Sequence, residues 1–250
     1  MKSNHPMPIR LLLAALALTL FSATASAQSA ESVIEDAREK LIEMYSGVDH
    51  FAVKTDSFTS YNRVIEKDGE MIMETEIAGI PGMGSQGAAT TNTMAQFDAL
   101  AEHGVYKGTQ NVDGVKCHVI FVDDPSQIDP QLSEGEQVTY FIGASDSLMH
   151  GMNMSMKDGT SMEMRMKGYK KYGPILYPST MEISLIQINS AQQQQMKELQ
   201  EQLKQMPESM RKQMQDQIDQ AMGMLSGEPM VVKTEDVVVN GPLPSGIFGN

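Results

Sequence analysis

Six methionines alternate in two short runs, Met152, Met154 and Met156, then Met162, Met164 and Met166, with His150 just ahead of them. Met71 and Met73 repeat the same spacing earlier in the chain. A thioether is a neutral, soft donor and also a flexible, polarizable filler of apolar space. Three roles are therefore open to such runs. They can pack as ordinary core, line an adaptable surface that repacks around apolar ligands, or hold a soft ion such as Cu(I). In the copper reading the local ligand set is His150, Met152 and Met154.

No other chemistry is spelled out. The sequence lacks G-x-S-x-G, H-E-x-x-H and a P-loop. His50, His103, His118 and His150 lie far apart, with no pair at metal-ligand spacing. A single cysteine, Cys117, excludes an intrachain disulfide framework or thiolate cluster. Its neighbour His118 points to the opposite face of any strand that holds both, which argues against a Cys-His nucleophilic pair. Asp123-Asp124-Pro125 and Asp129-Pro130 offer carboxylates to a hard cation or, as readily, make a solvated turn. The reading is of a binding protein, not an enzyme, with no cofactor.

Composition points the same way. Lys and Arg number 19 against 32 Asp and Glu, a net charge of −13, which excludes a basic nucleic-acid surface. The chain has 22 methionines but seven Phe, seven Tyr and no Trp, so thioether and aliphatic groups must fill most of the interior.

Residues 1–27 read as a secretory signal peptide. Lys2 and Arg10 make a positive start, Leu11 to Phe21 is apolar, and Ala25-Ser26-Ala27 is a small-x-small cleavage pattern. The apolar run is short of the roughly 20 residues that span a bilayer, and no later stretch reaches that length. Export to the periplasm, cleavage after Ala27 and no transmembrane span are the expectations. The mature chain, residues 28–250, is expected to be one domain.

Ser29 to Tyr45 has the spacing of an amphipathic helix, with Val33, Ala37, Leu41 and Tyr45 on one stripe and Ile34, Ile42 and Met44 beside it. Ser32 with Glu35 predicts a capping box, and Gly47 a stop. From Phe51 onward the pattern is of strands: 51–65, 70–79, 104–111, 115–123, 136–143, 148–156, 160–169 and 175–188, with a last one from Pro229 to Asn240. Asp-Gly pairs at 68–69, 113–114 and 158–159 predict hairpins and hence an antiparallel meander. Pro81 to Ser85 reads as a loop and Met94 to His103 as a short helix. Residues 191–225 show two amphipathic helical stripes broken at Pro207, a helical-hairpin insertion over 190–226. That insertion either covers the sheet or binds an envelope protein partner.

The 157–159 turn decides where the methionines face. A two-residue loop puts the two sets on opposite faces. A three-residue loop with Gly159 left-handed sets Met154 against Met162 and Met152 against Met164, all on one face. The second register separates apolar from polar residues, leaving Asn153, Ser155, Glu163, Arg165 and Lys167 on the wet side, and is the one predicted.

The order of these features resembles the outer-membrane lipoprotein carrier and sorting proteins of the LolA-like superfamily. The likeness is carried by Tyr106-Lys107-Gly108-Thr109-Gln110-Asn111-Val112-Asp113-Gly114-Val115-Lys116-Cys117-His118-Val119-Ile120 and by Tyr172-Gly173-Pro174-Ile175-Leu176-Tyr177-Pro178. It implies an α+β fold: a strongly curved antiparallel β half-barrel whose concave apolar side is closed by helices and holds lipid or lipoprotein acyl chains. Met71, Met73, Met152, Met154, Met162, Met164 and Met166 are then the candidate lining, and Arg63 is the positional counterpart of the basic residue at the cavity mouth. Two features depart from the family pattern, the long insertion and the want of a motif around Arg63.

Overall fold

The computed structural model describes residues 28–67, 70–78, 86–129, 136–187, 194 and 228–249. The leader, residues 68–69, the 81–85 loop and, Gln194 apart, the 191–225 helices lie outside the described residues.

Helix α1 spans Ala30–Tyr45. Its cap is Ser29, three residues earlier than Ser32. Ser29 Oγ accepts the Ser32 N–H at 3.1 Å, and Ser32 Oγ accepts the Ser29 N–H at 3.3 Å. The box is thus closed by two serines rather than by Ser32 and Glu35, and the extra turn buries Ala30. Val33, Ile34, Ala37 and Met44 are buried along the expected stripe, whereas Ile42 at its edge is half exposed.

The strands are β1 (His50–Thr55), β2 (Thr59–Lys67), β3 (Glu70–Ala78), β4 (Gln86–Asn92), β5 (Val105–Val112), β6 (Val115–Val122), β7 (Gln137–Gly143), β8 (Met149–Ser155), β9 (Ser161–Tyr172), β10 (Ile175–Gln187) and β11 (Met230–Val239). Helix α2 (Thr93–His103) joins β4 to β5. The expected 51–65 strand is two strands. Thr55 Oγ1 accepts the N–H groups of Ser57 and Phe58 and donates to the Phe58 carbonyl, folding a tight turn where the apolar alternation runs on. Strand β4 was not expected. Its sequence, Gln-Gly-Ala-Ala-Thr-Thr-Asn, has little β-propensity and pairs through its backbone with β3.

All described strands form one sheet in the order β4-β3-β2-β1-β11-β10-β9-β8-β7-β6-β5. Every neighbouring pair is antiparallel. The chain is thus two meanders, β1–β4 and β5–β11, sewn together by β1 against β11. The sheet is open, with β4 and β5 at its edges.

It is also strongly curved. Laid flat, ten inter-strand steps of about 4.8 Å would separate β4 from β5 by nearly 50 Å. Yet the single helix α2, whose 11 residues rise about 16 Å, links those two edges. Helix α1 makes the same point. Val33 and Ile34 pack with Ile120, Val122 and Ile142 of β6 and β7, while Tyr45 stacks on Phe51 of β1 at 5.4 Å. The two helices lie inside the curl, and α2 bridges its gap. The architecture is an α+β half-barrel.

Burial follows that geometry. One core joins α1 and α2 to β6 and β7 through Ile34, Leu100, Ile120 and Val122. A second lies under the end of α1, where Val48, Phe51, Val53, Ile175 and Val237 meet. Gly104, just past α2, sits where a Cβ would press on the Leu100 carbonyl oxygen and come within 2.8 Å of Ile120 Cγ2. Gly104→Ala is therefore expected to cost about 1–3 kcal/mol. Urea denaturation checks it; an unchanged midpoint would mean that the α2–β5 corner yields freely.

Candidate functional site: a methionine-lined inner face

The register of the two methionine runs follows from one turn. Met156 N–H donates to the Thr160 carbonyl at 2.7 Å and Gly159 N–H to the Met156 carbonyl at 3.0 Å, closing a three-residue loop. Gly159 takes φ of +85°, which glycine adopts without a Cβ clash. Met152 therefore pairs with Met164, and Met154 with Met162. Directly opposed residues of antiparallel strands share a face, so these four lie together, and Met166 joins them by alternation.

The face is the inner one. Across β6, β7 and β8 the pairs run Val122–Val138–Met154 and Ile120–Tyr140–Met152. Ile120 and Val122 pack directly against the helices. Onward into β10, Met162 pairs with Leu185, Met164 with Ile183 and Met166 with Met181. The other meander agrees. Met73 pairs with Val64 and Met71 with Glu66. Val64 lies two residues from Asn62, which pairs with Phe51, the residue stacked on α1. Met71 and Met73 thus face inward and Ile72 outward.

All seven candidate residues share the concave side, in two groups. Met152, Met154, Met162, Met164 and Met166 are contiguous over β8 and β9. Met71 and Met73 stand on β3, five strands from β9 in the sheet order. Met154 is buried; the other six are only partly buried, though they face the interior. Tyr140, Met181, Ile183 and Leu185 complete the apolar rows. Their alternation along β7 and β10 was visible in the sequence, but only the strand order ties them to the methionines.

Over β9 and β10 the opposite face carries charged pairs. Arg165 pairs with Glu163 at 2.8 Å and lies 5.0 Å over the Phe141 ring, and Lys167 meets Glu182 at 2.6 Å. Arg63 belongs to that face too. It alternates with the inward Asn62, hydrogen-bonds Glu74 and covers the Phe248 ring at 4.8 Å. It is engaged on the outside of the sheet, so it does not serve as a cationic group at the cavity mouth.

The remaining candidates have local partners. His150 directs Nε2 to Asp146 at 3.0 Å and sets its ring edge-on to Tyr169. A bulge at the β7–β8 pairing, where Phe141 opposes Gly151 but Ile142 opposes Met149, takes His150 out of the regular methionine ladder. Asp124 accepts from Ser126 N–H, Ser126 Oγ and Gln127 Nε2, bonds that hold its carboxyl below the usual range. The acidic segment is a capped turn. Among the described residues no three His, Cys, Asp or Glu side chains group as metal ligands. A separate polar groove of ≈ 270 Å³ between α1 and β6–β7 is lined by Asp36, Lys116, His118 and Ser147, among others.

Cys117 and His118 do point apart. His118 reaches Tyr106 on the inner side at 3.2 Å, and burial, with Lys116, lowers its pKa. Cys117 is fully buried on the outer side with Val112 and Phe141. Burial pushes its thiol up to about 11. Iodoacetamide near neutral pH is accordingly expected to label Cys117 at least about 100-fold more slowly in the folded protein than in denaturant. Equal rates would mean that the outer cluster opens readily.

No family model and no curated protein matches this sequence. Among solved structures the chain is similar to a DUF1329 family protein from Desulfovibrio piger, at 9% identity and TM-score 0.46 over 88% of this chain and 96% of that one. It is similar to a putative outer membrane lipoprotein-sorting protein domain from Vibrio parahaemolyticus, at 10% identity and TM-score 0.45 over 88% and 97%. A LolA superfamily protein from Nitrosomonas europaea gives 12% identity and TM-score 0.40 over 89% and 98%.

Proposed function

We propose that this chain is an exported, periplasmic binding protein that holds a lipid or the acyl chain of a lipoprotein against its methionine-lined inner face. The observation that carries this reading is the partly exposed apolar ladder inside the half-barrel. Rows of Met, Ile and Leu run across β8, β9 and β10 facing the concave side, with Glu163, Arg165, Lys167 and Glu182 turned outward. An apolar chain laid along the ladder completes the burial that the helices begin.

The energetics suffice. Each methylene taken from water contributes about 0.8 kcal/mol. A chain of about 16 carbons thus gains on the order of 10 kcal/mol before ordering costs, which leaves room for tight, reversible binding. Flexible thioethers suit chains of differing length and unsaturation. The net charge of −13 disfavours adhesion to anionic lipid surfaces, as a shuttle requires.

Organic extraction of the purified protein, followed by lipid mass spectrometry, tests the reading. Co-purifying lipid that a fatty acid displaces is expected. Protein that yields none, and takes up none from detergent micelles, would contradict it.

A further inference from the structure

The same ladder has a property that acyl binding does not need. An apolar chain is served as well by leucine, which loses less rotamer freedom on ordering than methionine does. Here thioethers instead occupy both members of two adjacent cross-strand pairs, Met152–Met164 and Met154–Met162. A third pair, Met166–Met181, follows one strand over. Opposed positions have Cβ atoms about 5 Å apart, and alternate positions along a strand are about 7 Å apart. Four sulfurs therefore hang from the corners of a small rectangle on one face, each on a side chain with three rotatable bonds.

We propose that Met152, Met154, Met162 and Met164 form a binding site for one soft monovalent cation of the Cu(I) and Ag(I) class. The donor set selects the ion. Neutral thioethers bind soft ions and leave hard ones to water, and the oxygen ligands that Ca²⁺ or Mg²⁺ would take are turned to the other face, in Glu163 and Asn153. A single positive charge also enters a half-buried apolar face at less cost than a double one. His150 is no part of the site: its Nε2 is held by Asp146, and the bulge takes it out of the ladder. This set replaces the His150, Met152, Met154 trio that the sequence offered. Nothing in it depends on the lipid reading.

Titrating Ag(I) into the full chain carrying methyl-¹³C methionine tests the proposal. One equivalent is expected to shift the methyls of Met152, Met154, Met162 and Met164 together, in slow exchange, with Zn²⁺ shifting none of them. The Met152→Leu/Met164→Leu variant is expected to bind Ag(I) at least tenfold more weakly while keeping its thermal midpoint. Lipid uptake is read in its own displacement titration on wild-type protein that has seen no Ag(I), so the two readings can fail separately. Shifts spread over Met44, Met94 and Met149 instead would overturn the site. So would equal Ag(I) affinity in the wild type and in the variant with all four methionines changed to leucine. If the double variant does not fold, Met154→Leu and Met162→Leu taken singly carry the same comparison.

Discussion

Met164→Asp is expected to weaken binding of a dansyl fatty acid by at least about 100-fold while leaving the protein folded. Met164 stands in the middle of the ladder, paired with Met152 on one side and Ile183 on the other. A carboxylate placed there points into the face that the acyl chain must cover. Covering it means stripping its water with no donor opposite, because the neighbouring charges Arg165 and Glu163 lie on the other side of the sheet. A desolvation cost of about 3 kcal/mol already amounts to two decades in the dissociation constant. The fold survives because Met164 is only partly buried, so the carboxylate keeps its water in the empty protein. Met164→Leu keeps the apolar surface and is expected to bind within about threefold of the wild type. Glu163→Gln, one residue along and facing out, changes nothing in the same displacement titration. A Met164→Asp protein that binds like the wild type would place the ligand elsewhere.

Ile120→Ala is expected to cost about 2–5 kcal/mol of stability. Ile120 is fully buried where β6 meets both helices, among Ile34, Leu100 and Tyr140. Removing three carbons there loses their transfer free energy and leaves a hole that two rigid helices and a curved sheet cannot close. Ile186→Ala provides the contrast. Ile186 is 59% exposed near the end of β10, and its truncation stays within about 0.5 kcal/mol. Urea unfolding compares the two. Equal effects would mean that the helices float on the sheet rather than anchor to it. Since α1 and α2 shape the inside of the curl, the Ile120 variant is also expected to lose part of its lipid affinity.

Much of this was legible in the chain because the signals were local. The 157–159 turn fixed a register, and a register of period two fixes a face; the methionine ladder follows from the position of one glycine. The α1 stripe was likewise read from its spacing, although Ser29 took the cap because the helix gains a buried turn by starting earlier. Two elements were lost for physical reasons. Strand β4 has almost no side-chain signature and exists because β3 offers it an edge. The break between β1 and β2 hides inside a continuous apolar alternation, and only the Thr55 hydroxyl marks it. Arg63 was misplaced because a positional match says nothing of parity: one residue separates it from the inward Asn62. Closure of the curl by α2 was beyond local reading altogether, since it depends on which strands end up at the edges. The candidate site was legible as a list of residues, but its continuity with Tyr140, Ile183 and Leu185 needed the sheet order.

The most direct measurement places the ligand on the face. A spin-labelled stearic acid added to methyl-¹³C-methionine protein broadens only those methyls that lie near the bound chain. Met152, Met154, Met162 and Met164 are expected to broaden at one equivalent and to recover when unlabelled fatty acid displaces the probe. Broadening at none of the four, or broadening that unlabelled fatty acid does not reverse, would contradict an acyl-binding inner face.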